Sequence, residues 1–189
     1  KGVFQFCTKL ETVRLPESLR KIGDCAFHKC KALAHVDIPS GVNEIGDYAF
    51  AYSSLETVTI PEGVVDLPSS IFNHCKSLKS VKLPSSLKTI GDDAFQFCSA
   101  LTTINDDALE GVTEIGSSAF GLCKSLTTFK LPPLLKSIGK GTFWGCKNLS
   151  KVELPPSLET IDMNAFTNCS HPDLTIDLPE TVTNIEILA

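Results

Sequence analysis

The chain has 189 residues, of which 42% are apolar and 21% are charged, a composition that supports a buried core and excludes intrinsic disorder. Its 22 acidic residues outnumber 17 basic ones, for a formal net charge of −5. Arginine occurs only at Arg14 and Arg20, so the basic footprint of a nucleic-acid-binding protein is missing. No apolar run approaches the roughly eighteen residues that a membrane-spanning helix needs.

Phenylalanine marks a repeat that runs through the whole chain. Successive members of the series are 22 to 25 residues apart: Phe4, Phe27, Phe50, Phe72, Phe95, Phe120, Phe143 and Phe166. Seven of the eight cysteines stand three residues after one of these phenylalanines: Cys7, Cys30, Cys75, Cys98, Cys123, Cys146 and Cys169. Ser53 takes this place in the third copy, and Cys25 stands outside the pattern.

Each copy has two parts. An L-x-x-V-x-L-P run, as at Leu78, Val81, Leu83 and Pro84, alternates apolar and polar residues and predicts a short strand that the proline ends. An S-L-x-x-I-G-x-x-A-F-x-x-C arm follows, in which the glycine predicts a permissive turn and the Ala-Phe-x-x-Cys spacing predicts a short helical or 3-10 turn. One such copy is too small to bury its own apolar face, so neighbouring copies must stack into a solenoid whose strands form one parallel sheet.

These motifs closely resemble the BspA-like leucine-rich repeat family, whose signature runs L-P-x-S-L-x-x-I-G-x-x-A-F-x-x-C-x-x-L-x-x-V. The resemblance covers essentially the whole chain. It implies an α/β repeat solenoid, a right-handed leucine-rich-repeat horseshoe of about eight repeats, with a concave parallel β-sheet and short helical or 3-10 turns on the convex side. It also implies a surface-exposed or secreted protein of the kind that bacteria and protists use to attach to other molecules.

Two departures from the repeat carry structural expectations. The 25-residue interval replaces the strand-ending Leu-Pro pair with the stretch 105–110, Asn-Asp-Asp-Ala-Leu-Glu, which predicts a local bulge. The chain begins inside a repeat and ends on the apolar residues Ile187, Leu188 and Ala189, without the polar cap that solenoids normally have. We therefore expect residues 1–189 to form a single solenoid domain that is a segment of a longer protein, or an array closed by association.

Candidate chemistry is sparse. No C-x-x-C occurs, and a cysteine at one repeat position in successive copies is typical of a ladder of buried, unreactive thiols. The four histidines occupy four different repeat positions and form no ligand set. Calcium at Asn105, Asp106, Asp107 and Glu110 is an alternative to a solvated bulge, but the order of a calcium loop is missing. No catalytic motif occurs, so we predict no enzyme, no cofactor and no metal.

Stacking turns each outward strand position into a column of side chains. Two such columns flank the buried central residue, one rich in hydroxyl groups and one of mixed charge. We take these columns as the candidate ligand-binding face, formed by Arg14, His35, Asp37, Thr57, Thr59, Ser80, Lys82, Thr103, Asn105, Thr128, Lys130, Lys151 and Glu153. Neither column contains an aromatic anchor, which favours binding through polar groups.

A further column, separate from the two strand columns, is formed by the residues two positions after each phenylalanine, with Trp144 beside it. Its large apolar members are Phe6, Tyr52, Phe97 and Leu122, and with Trp144 they are the candidate interface residues. They form either a half-buried layer over the joints between repeats or an exposed interface for a partner or a second copy.

The sequence thus supports two functions. The first is a recognition scaffold that binds a protein or glycan-bearing surface in cell-surface attachment, placed outside the cell by family resemblance. The second is an assembly module that joins chains through solenoid ends or the aromatic column. Neither involves nucleic acid or membrane insertion.

Overall fold

The computed structural model describes residues 2–186 as a parallel β-solenoid of about seven turns, each of roughly 23 residues. Each turn of the solenoid passes through three layers in chain order: a first strand, a second and shorter strand, and a hydrogen-bonded turn built on the Ala-Phe-x-x-Cys segment. Equivalent layers of successive repeats stack on one another. The repeat predicted from the phenylalanine spacing is confirmed.

The first strand column is built by the L-x-x-V-x-L runs. Its members are β3 (Thr57–Thr59), β5 (Ser80–Lys82), β7 (Thr103–Ile104), β9 (Thr128–Lys130), β11 (Lys151–Glu153) and β13 (Thr175–Ile176). They pair in parallel as two three-stranded sheets, β3-β5-β7 and β9-β11-β13. In register, Thr57 lies opposite Ser80 and Thr128 lies opposite Lys151, so identical repeat positions are neighbours.

The second strand column is built by the residues just before the glycine of each arm. Its members are β1 (Lys21–Ile22), β2 (Glu44–Ile45), β4 (Asp66–Leu67), β6 (Thr89–Ile90), β8 (Glu114–Ile115), β10 (Ser137–Ile138), β12 (Thr160–Ile161) and β14 (Asn184–Ile185). They form the sheets β1-β2, β4-β6-β8 and β10-β12-β14.

This column corrects the expectation of one sheet. In β1, β2, β8 and β10 an exposed polar residue precedes a buried isoleucine, the two-residue alternation of a strand. The glycine that follows these strands is needed because a Cβ would clash with the neighbouring repeat, and not because its φ is positive. A Cβ on Gly46 would lie 2.4 Å from the amide nitrogen of Asp24, and a Cβ on Gly116 would lie 2.5 Å from that of Asp92. Glycine lets successive repeats approach closely.

The turn column is defined as the Ala-Phe-x-x-Cys segments and the two residues before each. It contains no helical segment in the described residues, so the short helical or 3-10 turns predicted for the convex side are not confirmed. Two positions per repeat have left-handed backbone angles. The position two residues before the phenylalanine holds Gly2, Cys25, Tyr48, Ser70, Asp93, Ser118, Gly141 and Asn164. The position two residues after it holds Phe6, Lys29, Tyr52, His74, Phe97, Leu122, Gly145 and Asn168. A left-handed residue on each side of the phenylalanine ends any right-handed helix at once.

Hydrogen bonding in the turn column explains this alternation. Phe4 N–H donates to Ala26 O in the next repeat (2.9 Å), whereas Cys7 N–H donates back to Phe4 O (3.0 Å). At every joint between Gly2 and Thr167, three amides cross to the next repeat in this way. Some amides of the turn therefore donate to carbonyl groups of the next repeat, and others donate to an earlier carbonyl of the same turn. Together these bonds satisfy the buried backbone without a helix.

The core is a stack of the repeat's apolar residues. The eight phenylalanine rings form one continuous stack, with centroids of neighbouring rings 5.3 to 5.9 Å apart. Phe50, Phe72, Phe95, Phe120 and Phe143 are fully buried. Phe129 packs against two of these rings from the strand side.

The predicted bulge is a single turn of 3-10 helix, Asp106–Leu109. Ala108 and Leu109 point inward and are almost fully buried, which replaces the missing Leu-Pro pair. The first strand column is interrupted at this level, between β7 and β9. The extra residues are therefore absorbed on the strand side, while the turn column continues.

Candidate binding surfaces

The outward face of the first strand column, called here the sheet face, carries the predicted ligand-binding residues. In β3, β9 and β11 the central residue is buried and both flanking residues are exposed. Thr57, Ser80 and Thr103 lie in one row across three strands, and Thr59 lies opposite Lys82 in the other. Strand alternation thus places the two predicted columns side by side.

One indentation on this face lies over the second to fourth repeats, with a volume of about 220 Å³. Its polar lining is formed by His35, Asp37, Thr57, Thr59, Ser80 and Lys82. His35 Nε2 lies 2.9 Å from Asp37 Oδ1, so one wall is a polar pair. A neighbouring hollow of about 510 Å³ reaches Arg14 and Glu17. The structure thus groups six of the predicted residues around one shallow, polar depression.

Elsewhere on the sheet face, predicted residues are engaged with neighbouring residues of the chain. Lys151 donates to Glu153 at 2.6 Å, and Lys130 lies 3.8 Å from Glu110. Asn105 has a structural role, since its Oδ1 accepts from Leu83 N–H (2.8 Å) and its Nδ2 donates to Leu83 O (3.1 Å). The side-chain amide of Asn105 therefore replaces the backbone of a missing strand residue, and little of its bonding capacity is left for a ligand.

The aromatic column on the turn side is half-buried, the first of the two alternatives. Tyr52, Phe97, Leu122 and Trp144 are all partly covered. The ring of His74 lies between those of Tyr52 and Phe97, with centroid distances of 4.3 and 4.0 Å. Lys29 Nζ lies 4.9 Å from the ring centroid of Phe6 and 5.5 Å from that of Tyr52, close enough for cation–π attraction.

This column also contains a hollow that the sequence did not predict. About 370 Å³ lies between Leu122, Trp144, Gly145, Lys147, Asn168 and Ser170. The available signal was Gly145, because a glycine in a column of large side chains leaves a gap.

The cysteine ladder is buried as predicted from Cys30 to Cys146, whereas Cys7 is exposed and Cys169 is partly buried. The Sγ atoms of Cys75, Cys98 and Cys123 lie 3.1 to 3.2 Å from the carbonyl oxygen of the preceding repeat's phenylalanine, as donors. All eight cysteines are free thiols, and Ser53 Oγ lies 3.3 Å from Cys75 Sγ. Burial raises the pKa of Cys75 to about 11 and raises the pKa of Cys98 well above its usual value. A thiol that does not ionise is neither a nucleophile nor a ready metal ligand.

Other chemistry has little support in the described residues. Within 2–186, no group of three or more His, Cys, Asp or Glu side chains could hold a metal ion. At the calcium candidate, Asn105 Nδ2 donates to Asp107 Oδ1 (3.2 Å), and the side chain of Asp106 lies outside the described residues. No helix in the same part of the chain is long and apolar enough to cross a membrane.

The family follows from the repeat and its stacking. A model of the BspA type leucine rich repeat region matches residues 1–108 and 107–189, in six copies. The chain is a BspA-type leucine-rich repeat protein. Leucine-rich-repeat solenoids are typically non-enzymatic interaction scaffolds.

Solved structures agree with this assignment. A leucine-rich repeat protein of Bacteroides ovatus is 30% identical with a TM-score of 0.71, and the match covers 98% of this chain and 56% of that one. A leucine-rich cell surface protein of Faecalibacterium prausnitzii is 35% identical with a TM-score of 0.68, over 89% of this chain and 39% of that one. A T. pallidum leucine-rich repeat protein is 34% identical with a TM-score of 0.59, over 64% and 56%. No curated protein matches.

This BspA-type chain therefore spans between about two fifths and three fifths of the proteins it resembles. The horseshoe curvature and handedness that the resemblance implies stay predictions.

Proposed function

We propose that the chain is a recognition scaffold that binds a protein or glycan-bearing surface through its sheet face, in attachment at a cell surface. The observation that carries this proposal is the row of outward hydroxyl and charged side chains on paired strands, indented at His35, Thr57 and Ser80. Short side chains on a hydrogen-bonded sheet lose little conformational entropy on binding, so they suit polar recognition. The Faecalibacterium relative is named a cell surface protein, which supports the location.

The test is adhesion of protein-coated fluorescent beads to a monolayer of cultured epithelial cells. The double variant Thr57→Glu/Ser80→Glu places two carboxylates on neighbouring strands inside the indentation. Thr113→Glu, an exposed position next to β8, is the matched control. We expect the double variant to lose most of the adhesion and the control to keep it. Equal adhesion by the double variant and the wild type would overturn the proposal.

Treatment of the monolayer separates the two ligand classes. Loss of adhesion after glycosidase treatment assigns a glycan, and loss only after protease treatment assigns a protein.

Self-association is the second candidate, favoured by the exposed apolar surface of the first repeat. Val3 is 75% exposed and Phe6 is 58% exposed. Large apolar side chains exposed together are typical of interfaces. Light scattering over a concentration series tests this candidate, and a monodisperse monomer would exclude it. Residues 187–189, which the sequence placed at an uncapped end, lie outside the described residues.

A further inference from the structure

Residues 115–152 contain six lysines and no acidic residue. The rest of this acidic chain contains all 22 acidic residues and the other 11 basic ones. The interval spans parts of two successive repeats, so it forms a basic segment in an otherwise acidic solenoid.

The structure divides these lysines by side of the solenoid. Three of them lie near acidic groups from outside the interval. Lys136 pairs with Glu159 (3.0 Å), Lys151 with Glu153 (2.6 Å) and Lys130, more loosely, with Glu110 (3.8 Å). The other three, Lys124, Lys140 and Lys147, are exposed and make no ion pair with any residue in the range 2–186.

These three unpaired lysines all lie on the turn side. Lys124 and Lys147 occupy the same position in successive repeats, four residues after Phe120 and Phe143, whose ring centroids are 5.7 Å apart. Lys140 lies three residues before Phe143, at the opposite edge of the turn column. The turn side of these two repeats therefore carries three exposed lysines that form no ion pair within the described part of the chain.

The apolar hollow described above lies next to this charge, because Lys147 is part of its lining. Two glycines shape its apolar surface. A Cβ on Gly145 would lie 2.6 Å from Leu122 Cδ2, and a Cβ on Gly121 would lie 3.4 Å from Trp144 Cε3. Leucine and indole thus lie over glycine backbone.

The same column differs in the first five repeats. There the Tyr52, His74 and Phe97 rings stack face to face, and the ammonium of Lys29 lies over two rings. The stack ends at Trp144, which meets Phe97 edge to face at 6.5 Å. Ring faces are consequently occupied in the first part of the column, whereas the hollow at Trp144 and Gly145 is open.

We propose that this basic turn patch, formed by Lys124, Lys140, Lys147, Leu122 and Trp144, is a docking site for an acidic protein segment that carries an aromatic or aliphatic side chain. The apolar side chain enters the hollow, and flanking carboxylates face the lysines, since opposite charges steer and orient such a contact. Apart from Lys147, the polar side chains at the hollow are those of Asn168 and Ser170. A sugar ring needs more hydrogen-bonding groups, which favours a peptide over an anionic glycan. The proposal is independent of the sheet face.

Fluorescence anisotropy with defined peptides tests the patch. The first probe is a fluorescein-labelled dodecapeptide of glutamate with one central phenylalanine, the second replaces that phenylalanine by alanine, and the third is a fluorescein-labelled heparin fragment. We expect the phenylalanine peptide to bind several-fold more tightly than the alanine peptide, and both affinities to fall as salt is raised.

Three variants assign the contacts. Lys124→Gln/Lys147→Gln should weaken binding of both peptides about tenfold. Lys130→Gln/Lys151→Gln removes equal charge from the same repeats on the sheet face and should change affinity less than twofold. Leu122→Asn should weaken only the phenylalanine peptide. Asparagine suits this left-handed position, which Asn168 occupies in the eighth repeat.

Three results would overturn the proposal. Equal loss in the two lysine pairs would indicate non-specific attraction to the basic segment. Equal affinity of the two peptides would mean that the hollow takes no side chain. Binding of heparin without binding of either peptide would assign the patch to an anionic glycan. The sheet-face adhesion test fails or succeeds separately, because it uses different residues and a different probe.

Discussion

The turn column and the first strand column follow the same repeat but differ in regularity. Three amide hydrogen bonds cross every joint of the turn column between Gly2 and Thr167, and the phenylalanine stack beneath it has no gap. The first strand column is broken between β7 and β9, and the second is broken in two places. The turn column therefore holds the repeats in register, and the strands follow where the local sequence allows.

Changes in repeat length show the same difference. The 22-residue interval shortens the chain between Ser53 and Leu55, and the 25-residue interval lengthens it at 105–110. Both changes lie outside the turn column. A segment that bonds to both neighbours at alternate residues cannot gain or lose a residue without breaking several bonds, whereas a short strand loses one or two. The sheet face can thus vary for recognition while the turn column keeps the solenoid together.

The largest expected effect on the turn column comes from alkaline pH. Burial raises the pKa of Cys75 to about 11 and raises that of Cys98 well above its usual value, and the pKa values of Cys123 and Cys146 are raised further than that of Cys75. In the unfolded chain these thiols ionise near pH 8.5. Their contribution to stability is complete below that pH and is lost as pH rises towards the folded pKa values, by about 1.4 kcal/mol per thiol and pH unit.

Urea unfolding at pH 8, 9 and 10 measures this dependence. Cys75→Ser/Cys98→Ser is the control, because serine already occupies the equivalent position at Ser53 and does not ionise. We expect the double variant to lose clearly less stability between pH 8 and 10 than the wild type. Identical pH dependence in the two proteins would show that the ladder thiols ionise in the folded state.

An intermediate effect is expected at Asn105, whose side chain supplies hydrogen bonds that a strand residue would otherwise make in the first strand column. Asn105→Ala leaves the N–H and C=O of Leu83, a residue only 1% exposed, without their partners. An unsatisfied buried group costs about 1 to 3 kcal/mol, so we expect a loss of about 2 kcal/mol in unfolding free energy. Asp107→Ala, which removes only an exposed acceptor, should cost under about 0.5 kcal/mol. Equal losses would mean that Asn105 does not support β5.

The smallest expected effect is that of substitution by glycine, which should raise the free energy of unfolding in the turn column and lower it in the first strand column. Ser118 has a left-handed backbone, and Gly141 takes the same position one repeat later. Ser118→Gly should therefore raise the free energy of unfolding by about 0.5 to 1 kcal/mol. Thr103→Gly, in β7, should lower it by a similar amount, because glycine weakens a strand. Thermal unfolding of both variants compares them, and a loss of stability in both would contradict left-handed strain in the turn column.

The sequence predicted the repeat, the stacked core and the cysteine ladder because identical residues recur at one spacing, and stacking must bring them together. It did not predict the second strand column, since two residues, as at Lys21–Ile22, are too few to show alternation. It misassigned the Ala-Phe-x-x-Cys turn, because spacings of one and three fit a helix and also fit a turn with left-handed residues on either side. Tyr48, Phe97 and Leu122 gave no warning, as large residues rarely adopt that conformation.

The candidate surfaces divide in the same way. Strand alternation was enough to place Thr57, Thr59 and Ser80 on one outward face. Whether a polar side chain remains available depended on its neighbours in space, as the bonds from Asn105 to Leu83 show. The basic turn patch could be recognised only from the sequence and the structure together. The interval without acidic residues is visible in the sequence, but the pairing of three of its lysines is not.

By itself, the sequence determined that this chain is a BspA-type repeat solenoid and which residues each repeat buries, because burial follows from a pattern repeated eight times. Only the tertiary structure decided how the backbone between those residues is satisfied, and which exposed charges are already paired. Backbone bonding and charge pairing depend on contacts between residues about 23 positions apart, and those distances exist only once the repeats have stacked.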